Sequence, residues 1–218
     1  MSEEITVILA DGDFPADPVP LSFLEKAERI VCCDGAALAL VRHGMTPDAI
    51  VGDLDSLSAD FRKRYSECLV HVEEQEDNDL TKAFRYCMEN NWKNIVILGA
   101  TGKREDHTLG NLSLLADYSL QAEKISLVTD HGIFIAVNTP GTFESCKGEQ
   151  ISLFALDAGI KVTSENLKYP MKEYHLRRWW QATLNEALEE NFSLDFEKGK
   201  FLLIFRAFRG RKNPDKKS

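Results

Sequence analysis

The sequence predicts an α/β domain with a parallel sheet, followed by a small antiparallel β domain. Up to about residue 140, short apolar runs typical of buried strands alternate with segments that have helical periodicity or helix caps. After the turn signal at residues 138–141, strand-like runs follow one another between turns, and only residues 183–190 have much helical character. We therefore expect a first domain over residues 1–140, a second over 141–210 and a basic tail over 211–218.

Composition limits the classes of function. The chain has 218 residues, 44% of them hydrophobic and 28% charged, as in ordinary globular proteins. No apolar run is long enough for a transmembrane helix, and the acidic N-terminus does not resemble a signal peptide. The five cysteines are odd in number and lack a C-x-x-C pattern, so we expect reduced thiols in a cytoplasmic protein. The net charge of −9 argues against nucleic acid, and we expect neither nucleic acid nor a membrane as a partner.

The elements of the first domain follow from periodicity, caps and stops. Apolar runs predict strands at residues 5–10, 29–33, 69–72, 95–98, 124–129 and 133–137, with a short apolar pair at 50–51. Helices are expected at residues 21–28, 36–43, 58–65 and 80–90, and after residue 107. Over residues 80–90 the apolar residues recur at i, i+3, i+4, i+7 and i+8, which defines one buried helix face.

Polar residues follow strand after strand in this domain. They are Asp11 and Asp13, Asp34, Asp53 and Asp55, Asp77 and Asp79, and the segment 99–106. Because the carboxyl ends of parallel strands meet at one edge of the sheet, and ligands bind beyond that edge, these residues are expected to converge on a site. An edge with so many carboxylates requires cations.

The turn at residues 52–56 places two carboxylates, Asp53 and Asp55, two residues apart. Carboxylate oxygens on a short turn suit Mg²⁺, which takes one or two carboxylates and completes its shell with water and phosphate oxygens. The alternative is an ordinary turn, since Gly, Asp and Ser are common turn formers. Asp79 could complete a three-carboxylate site. Lys82 could neutralise a carboxylate or meet a phosphate, although a solvated helix face is the simpler interpretation.

The glycine loop after the 95–98 strand is not a Walker A loop, because Arg104 stands where that motif has Ser or Thr. It could still bind phosphate through backbone N–H groups, a helix N-terminus and the guanidinium of Arg104. The alternative is a strand-to-helix turn with Asp106 as its N-cap. His107 alone is better explained as a structural hydrogen-bonding residue.

The second domain is too small to be stable comfortably alone, so we expect it to pack on the first domain or on a partner chain. Strands are expected at residues 150–155, 160–163, 192–196 and 201–205. Tyr169, Trp179 and Trp180 could stack on an aromatic ligand, but aromatic residues in small β domains more often lie in a core or interface.

Four segments, in order, resemble the motifs of the thiamine pyrophosphokinase family: residues 33–37, 52–56, 75–83 and 99–107 continuing to Asn111. Fainter similarity continues through residues 167–170, 183–186 and 200–205. The resemblance implies an α/β nucleotide-binding domain followed by a β-sandwich that binds thiamine. It also implies a homodimer with thiamine bound between domains of opposite subunits. The implied reaction moves a pyrophosphoryl group from ATP to the thiamine hydroxyl and releases AMP.

The resemblance also implies a set of site residues. Asp53, Asp55 and Asp79 would hold Mg²⁺ and, with Arg104, form the catalytic group. The ATP-binding residues would be Asp34, Gly35, Gly99, Thr101, Gly102, Arg104, Asp106, His107 and Asn111. Gln75 would lie beside the transferring group, and Tyr169 and Asn185 would contact the acceptor.

The chain departs from the family pattern at several positions. Glu76 and Asn78 stand where the family usually has Asp and Thr, Tyr169 replaces a Trp, and residues 182–184 replace a Ser-rich run. These departures concern the acceptor more than ATP, which leaves open a pyrophosphokinase acting on another hydroxymethyl heterocycle, such as a pterin. A non-catalytic nucleotide sensor is a further alternative, although a binding module has less need of three carboxylates around a transferring phosphate.

Overall fold

The computed structural model describes residues 4–74 and 76–208 and divides the chain into two compact units, one ending at Asp130 and the other beginning at His131. This division precedes the predicted boundary at residue 140. The strand at residues 132–137, which we expected to close the first domain, pairs antiparallel with residues 202–207 and so belongs to the second unit. The predicted basic tail, 211–218, lies outside the described residues.

The first unit contains a parallel sheet, as the alternating pattern predicted. Its described strands are β1 (Thr6–Leu9), β2 (Arg29–Cys33), β3 (Ala49–Gly52), β4 (Leu69–His71), β5 (Asn94–Leu98) and β6 (Lys124–Val128). Their spatial order is β6-β5-β1-β2-β3-β4, and every neighbouring pair is parallel. The chain runs outward from β1 to β4 and then returns to the other side of β1. The sheet therefore has a switch point between β1 and β5, where ligands of such sheets bind.

The helices of this unit lie close to the predicted positions. They are α1 (Pro18–Lys26), α2 (Ala36–Arg42), α3 (Ala59–Arg64), α4 (Asp79–Glu89) and α5 (Glu105–Ser119), with a short 3₁₀ turn at Ser66–Cys68. Ser58 caps α3 by accepting a hydrogen bond from the Phe61 N–H, as expected. Over residues 4–74 and 76–208, no helix is both long and apolar enough to cross a membrane.

The core of the first unit lies between the sheet and its helices. The central strands are buried along their lengths, with Val7, Ile8 and Ile97 fully inaccessible to solvent. Burial on both faces is typical of parallel strands covered by helices. The apolar face of α4 is buried as its periodicity predicted, with Ala83 and Phe84 inaccessible or nearly so.

The second unit is a sandwich of antiparallel sheets, as expected from the resemblance. Its described strands are β7 (Gly132–Val137), β8 (Gly141–Glu144), β9 (Gln150–Ala155), β10 (Ile160–Glu165), β11 (Tyr174–Leu176), β12 (Ala182–Glu186), β13 (Asn191–Phe196) and β14 (Leu202–Ala207), with a 3₁₀ turn at Trp179–Gln181. Within this unit, one set of neighbouring strands has the order β12-β9-β14-β7 and the other has the order β11-β10-β13-β8. A single buried cluster includes Ile151 and Ile204 from the first sheet and Val162 and Phe192 from the second. The two inner faces therefore share one core.

The prediction of helical structure at residues 183–190 is wrong. Residues 182–186 form β12, which pairs antiparallel with β9 and contains a register shift between Ala182 and Asn185. Leu184 within this irregularity has φ 58° and is exposed. The helical propensity of Ala, Leu and Glu is overridden here by pairing with β9 and by burial of Ala182 and Asn185.

Candidate active site

A cleft of about 440 Å³ opens at the carboxyl ends of the strands in the first unit. Several of the predicted site residues line it: Asp53, Asp79, Thr101, Arg104, His107 and Asn111. Asp11 and Lys103, which the sequence placed at this edge of the sheet without a specific role, line it as well. The lining includes the loops after β1 and β5, so the cleft lies at the switch point of the sheet.

The loops after β1 and β5 are held together along their backbones. The N–H groups of Ala10, Gly12 and Asp13 donate to the carbonyls of Leu98, Gly99 and Thr101 at 2.9, 2.6 and 2.8 Å. A Cβ on Gly12 would collide with the carbonyl oxygens of Gly99 and Thr101. Gly12 is therefore required for this close approach. Sequence reasoning missed it, although its position after a buried strand was a signal.

Asp34 is a buried carboxylate at the end of β2. Its Oδ2 accepts a 2.5 Å hydrogen bond from Ser56 Oγ, while its Oδ1 is buried with no hydrogen-bond partner among the residues that the structure describes. Burial raises the pKa of Asp34, and the negative charges of Asp79 and Asp53 act in the same direction, while the Ser56 hydrogen bond opposes them. Asp34 lies beside the cleft rather than in its lining, and burial of this oxygen without a donor from the described residues costs free energy.

The turn after β3 orients Asp53 toward the cleft. The Asp53 Oδ1 accepts a 3.2 Å hydrogen bond from the Asp55 N–H, which is the local bonding typical of a turn. A Cβ on Gly52 would lie 2.9 Å from the Asp34 Cβ and 3.5 Å from the Asp79 Oδ1, so both carboxylate residues flank this turn.

The three predicted metal ligands do not occupy equivalent positions. Asp53 and Asp79 line the cleft, whereas Asp55 is exposed and lies outside its lining. Within the described ranges, no three His, Cys, Asp or Glu side chains are grouped so that they could hold a metal ion. The three-carboxylate arrangement thus stays a prediction.

Lys82 is buried rather than solvated, so the simpler interpretation of this residue is wrong. Only 3% of its side chain is exposed, and its Nζ lies 3.2 Å from Asp79 Oδ1. Asp79 is the first residue of α4, whose N-cap is Asn78 through a 2.9 Å hydrogen bond from the Thr81 N–H. The helix therefore fixes Asp79 at the cleft, and Lys82 neutralises part of its charge.

In the glycine loop, Arg104 and Asp106 form a two-point ion pair. Arg104 Nε and Nη2 donate to the two oxygens of Asp106 at 3.0 and 2.5 Å, and the His107 N–H donates to the same carboxylate. These hydrogen bonds hold the pKa of Asp106 at about 2. Asp106 is not the N-cap of α5, since the helix begins at Glu105 and Arg104 precedes it. Asp106 instead orients the guanidinium of Arg104.

Asn111 ties the glycine loop to two helices. From α5, its Nδ2 donates to the carbonyl of Ala100 at 2.9 Å, and its Oδ1 accepts from Asn78 Nδ2 at 3.4 Å. Of the other predicted site residues, Gly35, Gly99 and Gly102 lie on the loops around the cleft but outside its lining, and Gln75 lies outside the described residues.

In the second unit, Tyr169 and Asn185 are neighbours, but only Tyr169 is exposed enough to contact a ligand. Asn185 is buried, and its side chain bonds both the N–H and the carbonyl of Tyr169, at 3.0 and 2.9 Å. Its polar atoms are therefore used by the chain itself. Tyr169 is 62% exposed and remains available to contact a ligand. Contact of either residue with an acceptor stays a prediction.

Comparisons with known proteins identify the family of both structural units. Residues 21–129 match the family model for the thiamin pyrophosphokinase catalytic domain, and residues 132–205 match the model for the thiamin pyrophosphokinase substrate-binding domain. The thiamine pyrophosphokinase of Bacillus subtilis is 29% identical over 206 residues, which cover 90% of this chain and 96% of that protein.

Solved structures of thiamine pyrophosphokinases are also similar to this chain. The crystal structure of the Bacillus subtilis thiamine pyrophosphokinase superposes with a TM-score of 0.77 at 25% identity, covering 95% of this chain and all of that one. The yeast thiamin pyrophosphokinase structure has a TM-score of 0.77 at 18% identity, covering 95% of this chain and 87% of that one, which supports the fold alone. The two matched domain models together span both structural units, and the chain belongs to the thiamine pyrophosphokinase family.

Proposed function

We propose that the chain transfers a pyrophosphoryl group from ATP to the hydroxyl of thiamine, giving thiamine diphosphate and AMP. The observation that carries this proposal is the cleft at the switch point. One of its sides presents Asp53 and Asp79, and the glycine loop with Arg104 forms another part of its lining. A polyphosphate and a divalent cation together match such a distribution of charge.

The glycine loop and the first turn of α5 would hold the phosphates of ATP. Backbone N–H groups at Gly99, Thr101 and Gly102 and the N-terminus of a 15-residue helix favour anions there. Arg104 uses two of its N–H groups on Asp106, so further guanidinium donors remain for phosphate oxygens. Asp34, Gly35, His107 and Asn111 complete the proposed nucleotide site.

The acidic side of the cleft consists of Asp53 and Asp79, with Asp34 beside them, and its carboxylates suit Mg²⁺. Carboxylate oxygens are the preferred protein ligands of this ion, and the buried Asp34 Oδ1, which has no hydrogen-bond partner among the described residues, supports a cation nearby. Mg²⁺ would be held by Asp53 and Asp79, with Asp55 as the third proposed ligand. When bound, the ion would neutralise phosphate charge that develops during transfer.

The thiamine hydroxyl would attack the β-phosphorus in line, with AMP as the leaving group. Arg104 would stabilise the developing charge, and Asp106 would keep its guanidinium oriented. Tyr169 would stack on the acceptor ring, Asn185 would hold the Tyr169 backbone, and Gln75 would lie beside the transferring group. We further propose a homodimer, for which the exposed Trp180 and Leu184 of the second unit offer apolar surface. We also propose a cytoplasmic location, which the odd number of cysteines without a C-x-x-C pattern favours.

The test is AMP release from ATP and Mg²⁺, with and without thiamine, with the mass of the product determined. Thiamine-dependent AMP together with thiamine diphosphate is the expected result. AMP formed only with another hydroxymethyl heterocycle would keep the transfer mechanism and change the acceptor, directing attention to Tyr169 and Leu184. Binding of ATP without AMP release for any acceptor would contradict an enzymatic role and favour a nucleotide sensor.

A further inference from the structure

An ion pair bridges the two loops that form the switch point of the sheet. Lys103 Nζ lies 2.9 Å from Asp11 Oδ1, and each side chain is 55% exposed. Asp11 follows β1, and Lys103 lies in the glycine loop after β5, so the pair spans the crevice between these strands. Both residues line the cleft, and both also line a smaller neighbouring cleft of about 170 Å³.

The loops, rather than the ion pair itself, fix the positions of Asp11 and Lys103. The backbone hydrogen bonds from Gly12 to Gly99 and from Asp13 to Thr101 hold the two loops at a fixed spacing. The second oxygen of Asp11 lies 3.1 Å from the point where a Cβ on Gly35 would be. Asp11 therefore presents its carboxylate at the junction of the loops after β1, β2 and β5.

Lys103 differs from the other basic side chains of the cleft lining. Lys82 is buried against Asp79, and Arg104 is bound to Asp106 through two hydrogen bonds. Lys103, in contrast, makes its ion pair through one oxygen of one exposed carboxylate. An exposed single-contact ion pair contributes little stability. The Lys103 ammonium can therefore leave Asp11 and bind a more highly charged anion with little loss of folding free energy.

We propose that Lys103 binds a phosphate group of the nucleotide, and that Asp11 holds its ammonium in place until the nucleotide displaces the carboxylate. This inference rests on the proposed function, because it adds a residue to the ATP site. A polyphosphate offers several anionic oxygens and makes charge-assisted hydrogen bonds to an ammonium, so it competes well against a single carboxylate. Asp11 would also repel the polyphosphate, and it therefore weakens the binding of ATP in the absence of a divalent cation.

The test measures ATP binding by calorimetry with the full chain, in EDTA and in Mg²⁺, at two salt concentrations. We expect Lys103→Gln to weaken ATP binding about tenfold, as for a lost hydrogen bond to a charged group, and to reduce its salt dependence. Asp11→Asn should tighten ATP binding about threefold in EDTA, because it removes a competing and repelling charge. The double variant should bind more weakly than Asp11→Asn and no more weakly than Lys103→Gln, because only the direct repulsion by Asp11 remains to be relieved once Lys103 is gone.

Glu4→Gln is the matched control. It removes an ion pair of the same length, Arg29 Nη2 to Glu4 Oε2 at 2.9 Å, whose residues do not line the cleft. Its ATP affinity should equal that of the wild type. Melting temperatures of all variants separate a binding effect from a folding effect.

Each other outcome overturns part of the proposal. Wild-type affinity in Lys103→Gln would exclude Lys103 from the phosphate site. Weaker binding by Asp11→Asn only in Mg²⁺ would make Asp11 a metal ligand and contradict its role as a competitor. Equal losses of melting temperature in both single variants, with ATP affinity unchanged, would reduce the pair to a structural contact. A wild-type chain that binds no ATP would overturn the proposed function itself, and with it this inference.

Discussion

The acidic side of the cleft (Asp53 and Asp79 in its lining, with Asp34 beside them) and the glycine loop (residues 99–106) differ in how their charges are compensated. In the glycine loop, Lys103 and Arg104 are exposed and already paired with Asp11 and Asp106. On the acidic side, Asp34 is buried, and one of its oxygens has no partner within the described part of the chain.

The pKa values of the two carboxylates move accordingly. Hydrogen bonds from Arg104 lower the pKa of Asp106 to about 2, whereas burial raises the pKa of Asp34. The cations of the glycine loop are therefore already paired with carboxylates, whereas Asp34 keeps a charge that burial disfavours. A ligand that supplies both a cation and phosphates would satisfy both sides, and the predictions below separate their roles.

The largest effect is expected from removing a carboxylate on the acidic side. Asp53→Asn should lower kcat about 10²- to 10³-fold, because it removes a charge aimed at the reacting phosphates and their cation. The measurement is steady-state AMP release. Asp60→Asn, an exposed acid in the first turn of α3, is the control and should retain full activity. Full turnover of Asp55→Asn would remove Asp55 from the proposed metal ligands.

A smaller loss is expected from changing the guanidinium of the glycine loop. Arg104→Lys keeps the positive charge but loses the planar group that binds Asp106 at two points and offers further donors. We expect kcat/KM to fall about tenfold to a hundredfold, the equivalent of one or two charge-assisted hydrogen bonds. Arg42→Lys, at the exposed end of α2, is the matched control. Equal kcat/KM in the two variants would argue against phosphate binding by Arg104.

The spacing of the loops can be tested through stability. Gly12→Ala places a Cβ against the carbonyl oxygens of Gly99 and Thr101, so the loops after β1 and β5 must separate. We expect the free energy of unfolding to fall by about 1–3 kcal/mol, with weaker ATP binding. Gly110→Ala is the control, because Gly110 lies inside α5 and no atom lies within 4 Å of the position that the Ala Cβ would take. That variant should gain about 0.5–1 kcal/mol, and an equal loss in both would exclude the loop contact as the cause.

The smallest effect, and the one with the clearest sign, concerns Asp34. Because its pKa is raised in the folded protein, the ionised carboxylate costs stability at neutral pH. Asp34→Asn should therefore be more stable than the wild type at pH 7. The difference should shrink as the pH falls toward about 3.9, the pKa of an unfolded Asp. Denaturant unfolding at several pH values checks this prediction, and a wild type that is more stable at pH 7 would contradict it.

Much of the fold could be predicted because it depends on local patterns. Apolar runs, caps and the periodicity of residues 80–90 fix the strands and helices of the first unit. The switch point follows once the strands are parallel. The strand at residues 132–137 looks the same in sequence whichever sheet it joins, so its pairing with β14 could not be predicted. Residues 182–186 have helical propensity, and only pairing with β9 reveals their true state.

The site was predicted at the level of segments rather than contacts. The positions of Asp53, Asp79, Arg104 and Asn111 follow from strand ends and from the family resemblance. The burial of Lys82 and the pairing of Asp11 with Lys103 depend on packing between distant segments. No single stretch of sequence contains that information.

The most direct test of this account compares the affinity for ATP with and without Mg²⁺ in the wild type and in Asp53→Asn, by calorimetry. If the acidic side acts on the nucleotide through a cation, Mg²⁺ should strengthen ATP binding in the wild type, and most of that gain should disappear in the variant. The same gain in both proteins would show that the acidic side and the glycine loop do not act on one ligand.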